Sequence, residues 1–320
     1  MHRRAILKAF AACAAPAILG RPAFAETWPS RPITLVVPYG AGGTIDATAR
    51  LYAEHASGTL GQRVVVENKP GAQGNVGGEA VARSAPDGYT LLLASAGLAN
   101  NPAFGPKPKF DAARAFQPVG LLASAANILL ARPGIGVATV ADMVRVTKAK
   151  PNEITLGAGQ IDTYVELLKR RSGAQYRLVP YRTSPQALTD AVAGHIDLAM
   201  ALVPTALPLV NDKALVAVAV SSSRRSSVLP DVPTYTEVGI PDAEVESWFG
   251  ISLPAGSPAD VAQRLVASVR DFIRDPATKE RMTVLGIEIA AEGTPESFAE
   301  LVGADSARWL RIAKEFDAAQ

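Results

Sequence analysis

The sequence predicts an α/β protein of two domains on mainly parallel sheets, with a ligand cleft between them. Three observations carry this reading. Apolar strand-like runs alternate with helical patterns along almost the whole chain. The 320 residues, less an N-terminal leader, suffice for two domains of about 100–150 residues each. Two Gly-rich turns, one in each half, run from a strand directly into a helix, so that two helix N-termini can face one another across a cleft.

From the N-terminus, residues 1–25 read as a secretory signal peptide. Arg3, Arg4 and Lys8 precede an apolar run over 9–19, and Ala23-Phe24-Ala25 offers a small-x-small cleavage site, so the mature chain is expected to be exported. The run is too short to span a bilayer, and its paired arginines approach the twin-arginine export pattern. The only cysteine, Cys13, lies in this segment, so the mature chain keeps no disulfide, thiolate nucleophile or Cys-ligated metal. Cleavage also removes four cations (Arg3, Arg4, Lys8 and Arg21) and no acid, which turns the formal charge of +2 into −2. No basic run is left to serve as a footprint for nucleic acid or an anionic membrane, and the mature chain reads as not membrane-inserted.

A strand at 33–37 feeds the turn Tyr39-Gly40-Ala41-Gly42-Gly43-Thr44-Ile45-Asp46, which opens a helix. Such a turn leaves unpaired N–H groups at the positive end of the helix dipole, where an anion docks without a basic side chain. Gly40 and Gly42 also match the first two glycines of a dinucleotide fingerprint, with Glu67 standing where a ribose-binding acid would be. Ile45, bulky and β-branched, occupies the third glycine's position and counts against that reading.

Further strands fall at 64–67 and 89–94, with Ser95 directly after. In the second half a strand at 154–157 leads through Gly157-Ala158-Gly159 into a helix over 162–171. Ser184-Pro185 opens the next helix and Gly194 ends it, before strands at 196–201 and 215–220. Ser257-Pro258 repeats the opening signal ahead of a long helix over 259–274.

Catalytic machinery is missing from this pattern. No Gly-Lys-Ser or Gly-Lys-Thr follows either turn, no Gly-x-Ser-x-Gly occurs, and no carboxylate pair stands out. His55 and His195 are the only histidines past the leader, and both read as surface or capping residues. The expectation is a protein that is not an enzyme, with no cofactor and no metal.

A series of ordered blocks then points to a family. They are Trp28-Pro29-Ser30-Arg31-Pro32-Ile33, Val36-Val37-Pro38, Gly42-Gly43-Thr44-Ile45-Asp46, Val65-Val66-Glu67-Asn68-Lys69-Pro70-Gly71-Ala72 with Gly74-Asn75, Pro86-Asp87-Gly88-Tyr89-Thr90-Leu91, Val179-Pro180-Tyr181, Ala187-Leu188-Thr189-Asp190, Leu229-Pro230-Asp231-Val232-Pro233-Thr234 and Ser247-Trp248-Phe249-Gly250. Together they resemble the substrate-binding proteins of tripartite tricarboxylate transporters, the Bug or TctC family, over nearly the whole mature chain.

The resemblance implies a two-domain periplasmic binding protein of the Venus-flytrap, type II-like kind. It would bind a small carboxylate-bearing organic acid in its cleft as a monomer, and deliver it to the membrane components of a tripartite tricarboxylate-type transporter. Domain 1 would comprise residues 26–127 plus 249–320 and domain 2 residues 128–248, with crossings near 127–130 and 246–250. The ligand role falls on Tyr39, Gly42, Gly43, Thr44 and Asp46 in the first loop and on Ala158, Gly159 and Asp162 in the second. Ser95, Tyr181, Arg182 and Thr183 would complete the lining.

Thr44 and Asp46 also suit the start of a helix without any ligand, and for Asp46 bracing ranks above contact. Two departures from the family pattern bear on the ligand. Gln160-Ile161-Asp162-Thr163 stands where a Ser-x-x-His or Ser-His opening is usual, and a carboxylate at 162 would repel an acid unless a cation or water intervened. Arg182-Thr183 replaces a frequent Lys-Gly, and an inward Arg182 would clamp a second carboxylate or offset Asp162. Two competing readings are an exported nicotinamide-dependent oxidoreductase and a binding protein used for signalling rather than transport.

Overall fold

The structure, a computed structural model, describes residues 27–104, 107–159, 161–240 and 242–318. The signal-peptide reading of residues 1–25 lies outside them. The first part of the chain forms β1 (Ile33–Val37), α1 (Thr44–Leu60), β2 (Val64–Asn68), α2 (Asn75–Ala82), β3 (Thr90–Ser95), α3 (Gly97–Phe104) and α4 (Ala112–Ala115). A long strand, β4 (Phe116–Ala131), follows. Then come α5 (Val140–Ala149), β5 (Thr155–Gly159), α6 (Asp162–Ser172), β6 (Arg177–Tyr181), α7 (Ser184–Ala193), β7 (Leu198–Leu202), α8 (Val203–Asn211) and β8 (Val216–Val220). The chain closes with β9 (Glu246–Pro254), α9 (Ala259–Arg274), α10 (Pro276–Val284), β10 (Glu288–Ile289) and α11 (Pro295–Ala318).

Local chemistry explains the boundaries. The β1 sequence Ile-Thr-Leu-Val-Val is apolar on both faces, as a strand covered by helices on either side must be. Gly61 and Gly194, at φ of 73° and 81°, end α1 and α7 in the left-handed conformation that glycine adopts without steric cost. A reciprocal Thr139–Asp142 capping box starts α5, and the Asp275 side chain caps α10.

The strands form one path, β2-β1-β3-β9-β4-β7-β5-β6, with β8 and β10 also paired to β4. One flank is parallel, β1 lying between β2 and β3, and so is the other, β5 lying between β6 and β7. The middle is antiparallel: β9 pairs with β3 and β4, and β4 with β7, β8 and β10. The expectation of mainly parallel sheets is therefore corrected to a mixed sheet. β4 carries the chain out of the first flank and β9 brings it back alongside, so the two must run in opposite directions. The handover falls between adjacent residues of β4, since Ala126 pairs with Glu246 of β9 while Asn127 pairs with Leu202 of β7.

Helices cover both faces of each flank. Tyr52 of α1 and Phe272 of α9 meet edge to face, 5.5 Å between centroids, over the fully buried Leu35, Leu93 and Phe249. The rings of Phe104 and Trp309 join α3 to α11 on the other face, and Tyr164 of α6 stacks on Trp309 at 5.4 Å. The second flank packs α7 and α8 over Ile128, Ala199 and Val220. His55 is half-buried with its ring edge-on to Phe272, a packing role rather than the surface one expected, whereas His195 is exposed beyond Gly194 beside Asp190.

Candidate functional site

Between the two flanks lies a cavity of about 80 Å³. Four helices begin in its wall: α1 at Gly43, Thr44 and Ile45, α6 at Ile161, α7 at Thr183, Ser184 and Pro185, and α8 at Leu202 and Thr205. None of the four has a side-chain cap at its N-terminus. The first N–H groups of a helix have no acceptor within it, so uncapped starts that converge on one space present donors and partial positive charge to whatever fills it. Of the helices that begin elsewhere, α5 and α10 are capped by side chains and α2 and α9 are not, so it is the convergence of the four starts that distinguishes the cavity.

The first flank adds a network of neutral polar groups. Ser95 Oγ donates to the Tyr39 hydroxyl at 3.0 Å, and that hydroxyl donates to the Gln73 carbonyl at 3.4 Å. Asn101 Nδ2 donates to the same carbonyl and to Asn75 Oδ1, both at 2.9 Å. Burial pushes the Tyr39 phenol up, with the Ser95 bond offsetting only part of it, so the hydroxyl keeps its proton. Gly97 is required at the base of α3, because a Cβ there would stand 2.4 Å from Tyr39 Oη.

Tyr164, Leu202, Thr205 and Arg182 face this network from the second flank, with Ser247 and Phe249 of β9 between. Burial above all, and then Asp305, hold the Tyr164 phenol well above the usual range, and its hydroxyl meets Ser247 and Asn100. Arg182 is the one formally charged side chain among the described residues of the wall. Beside the cavity the flanks touch at Thr44 Oγ1, 2.9 Å from Thr205 Oγ1, and at Gly40, which packs so closely on Thr183 Cγ2 that a Cβ would approach to 2.9 Å; farther off, α6 packs on α11 through Tyr164 and Trp309 and through the Arg171–Glu315 ion pair.

Of the residues singled out from sequence, Tyr39, Gly43, Thr44, Ser95, Gly159, Arg182 and Thr183 line the cavity. Gly42, Asp46, Ala158, Asp162 and Tyr181 stand behind its wall, each with a physical reason. Asp46 is turned inward to brace the loop: it accepts from the Gly42 N–H at 3.1 Å, Arg50 Nε at 3.0 Å and Asn68 Nδ2 at 3.0 Å. Burial raises its pKa, but those donors outweigh burial and hold the carboxyl below the ordinary value. The Gly42 amide is consumed in the same contact. Ala158 is buried in β5. Tyr181 turns away to donate to Asp190 Oδ2 at 2.6 Å, and burial together with that carboxylate pushes its phenol up to about 12. Asp162 starts α6 with Oδ1 enclosed and unpartnered, and burial raises its carboxyl.

These features accompany a direct likeness to known proteins. The profile of the tripartite tricarboxylate transporter family receptor matches residues 48–317. The chain belongs to that receptor family. A relative from Pseudomonas sp. (strain P51), the UPF0065 protein in the tcbD-tcbE intergenic region, is 33% identical over 296 residues, 91% of this chain and 88% of its own. The solved periplasmic binding protein BugD is 32% identical with a TM-score of 0.85, over 90% of this chain and 98% of its own. Rpa4515 of R. palustris, solved with adipate, has the same identity and TM-score over 90% and 97%. The receptor is accordingly a periplasmic solute-binding protein with the α/β fold of its family, which is linked to small-molecule transport.

Sequence reasoning overlooked much of the receptor's wall. Ser184 and Pro185 were visible as a helix start but read as structural only, and Ser247 and Phe249 as part of a crossing. Gln73, Asn100, Asn101, Tyr164 and Thr205 carry no local signal, since their place in the wall comes from how distant elements pack.

Proposed function

We propose that this receptor closes around a small carboxylate-bearing organic acid and delivers it to the membrane components of a tripartite tricarboxylate-type transporter. The observation that carries the reading is the convergence of four uncapped helix starts, from both flanks, on a cavity whose one formally charged lining side chain among the described residues is Arg182. One carboxylate is held by the N–H groups at the start of α1, and the other end of the ligand by Arg182 and the start of α7. The flanks act as two domains, residues 26–127 with 249–320 and residues 128–248, which move about β4 and β9. The protein works as a monomer after cleavage of its signal peptide near Ala25.

Size and chemistry support this reading. At about 10–15 Å³ per water-sized group, the closed cavity holds roughly five to eight such groups, the scale of a short organic acid. Rpa4515 was solved with adipate, a dicarboxylate. The described wall contains no histidine, cysteine or carboxylate to move a proton, so the ligand is held and released unchanged.

The test is a thermal-shift and calorimetric panel on the chain starting at Glu26, with succinate, malate, adipate, aspartate, glutamate and benzoate. One of these acids raises the melting temperature, by the equivalent of about 2.7 kcal/mol at a hundredfold excess over Kd. Arg182→Gln weakens that acid at least ~10-fold, the scale of a charged hydrogen bond. A panel in which no carboxylate shifts the transition sinks the proposal.

A further inference from the structure

The crossing strands have a second face with a cavity of its own. On β4, Ala123 and Ala125 pair with Phe249 and Ser247, which line the cavity between the flanks. Ser124 and Ala126 alternate with them and so point to the opposite face. There they floor a groove of about 200 Å³ whose walls come from β10 and the turn before it on one side, and from the loop after β8 on the other. Ser227 Oγ joins the two walls by donating to Glu288 Oε1 at 3.1 Å.

Three charges in this groove lack an ion pair among the described residues, Arg224, Glu246 and Glu288, and of the two carboxylates Glu288 accepts from Ser227. Arg225 differs, since its Nε is bound to Glu237 Oε2 at 2.9 Å and its Nη1 to the Pro230 carbonyl at 3.0 Å. Between them Ser226 lines the groove, and its hydroxyl, open to the solvent there, has no hydrogen-bond partner among the described residues. A hydroxyl open to the groove offers a donor and an acceptor to whatever enters it.

We infer that this groove is a second binding site, for a small zwitterion of the α-amino-acid type. Its carboxylate meets Arg224 and the Ser226 hydroxyl, and its ammonium group meets Glu246. A simple anion would be repelled by Glu246 and Glu288, and a simple cation by Arg224 and Arg225, whereas a molecule carrying both charges satisfies Arg224 and Glu246 together. The site stands independently of what the first cavity holds. Its consequence rests on the hinge reading above: with a floor made of β4 and β9 and walls on different flanks, occupancy couples to closure, so each ligand alters the other's affinity by the same factor.

The test is isothermal calorimetry on the chain starting at Glu26 with glycine and L-serine, and with acetate and methylammonium as single-charge controls. Glycine or L-serine binds, and the controls at the same concentration bind at least 10-fold more weakly. Arg224→Ala and Glu246→Gln each weaken the zwitterion at least 10-fold, and Ser226→Ala about 3-fold, while Arg182→Gln leaves it unchanged. Both Arg224 and Glu246 are exposed, and unaltered circular dichroism of the two variants verifies that the fold is kept. The inference is overturned if neither amino acid binds, if acetate binds as well as glycine, or if Arg182→Gln removes the binding, which would place the zwitterion in the first cavity. Failure of every acid in the carboxylate panel would leave these outcomes unaffected, so the two proposals fall separately.

Discussion

Thr44 Oγ1 and Thr205 Oγ1 stand 2.9 Å apart although 161 residues separate them, and through them the first turn of α1 touches the first turn of α8 beside the cavity. On the proposed two-domain reading, this hydrogen bond would favour the closed arrangement, in addition to the strand crossings and the packing of α6 on α11. Thr205→Val keeps the shape and removes the hydroxyl, at a cost of about 0.5–1.5 kcal/mol to closure. The expected outcome is ligand binding weaker by roughly 2- to 12-fold with the unliganded melting temperature unchanged, read by calorimetry and differential scanning. Unaltered affinity would show that the bond contributes nothing to closing.

Asp46 predicts an acid-sensitive loop. Its folded pKa lies below the unfolded value of about 3.9, so its contribution is present above that value and lost as pH falls through the folded one. Asp46→Ala leaves the Gly42 N–H without its acceptor and Asn68 Nδ2 with the Tyr39 carbonyl alone, and costs about 1–3 kcal/mol at pH 7. Urea titrations at pH 7 and pH 3 should show the gap between wild type and variant shrinking at the lower pH. A gap that stays constant would deny the ionised carboxylate its bracing role.

Asp162 has the opposite sign. Burial raises its folded pKa above the unfolded one, so the native state favours the protonated form, and the stability this gives at low pH is lost as pH rises through the folded value. Asp162→Asn removes the penalty at neutral pH. Partial exposure screens the effect, so a gain of under about 1 kcal/mol is expected at pH 7, vanishing below pH ~4. A melting temperature lower than wild type at pH 7 would mean that the ionised carboxylate has a stabilising partner.

Gly159 predicts a backbone constraint at the heart of the site. A Cβ there would lie 2.2 Å from the Ser184 backbone N and 2.4 Å from the Thr183 carbonyl carbon, so neither neighbour can yield by rotating a side chain. Gly159→Ala should push the start of α7 away from β5, lower stability by about 1–3 kcal/mol and abolish ligand binding. Gly43→Ala meets nothing within 4 Å and serves as the control, retaining wild-type stability.

The legible part of this protein is its local chemistry. The apolar runs at 33–37 and 89–94 announce β1 and β3, and Gly194 and the Ser257-Pro258 pair mark helix ends within a residue or two. The less legible part begins at β4, a 16-residue strand whose sequence alternates weakly because its two ends lie in different flanks with different neighbours. β6 and β9 were likewise not read as strands. β9 is buried by partners far away in the chain, whereas β6 is a sheet edge with no buried residue, and neither leaves a local period to read.

In the site the same division holds. Sequence alone determined that two strand-to-helix glycine turns exist, that Arg182-Thr183 departs from a frequent Lys-Gly, and which family the ordered blocks resemble. Such features depend on residues within a few positions of one another, where backbone geometry is decided by the side chains present. Tertiary structure alone decided that Tyr181 turns away from the cavity while Thr205, Tyr164 and Ser184 enter it, which partners brace Asp46, and that the middle of the sheet is antiparallel. The physical reason is that a polar side chain goes where its donors and acceptors are satisfied. For Asp46 those partners are Arg50, Gly42 and Asn68, and for Thr205 the partner is Thr44, brought within 2.9 Å only when the two flanks meet.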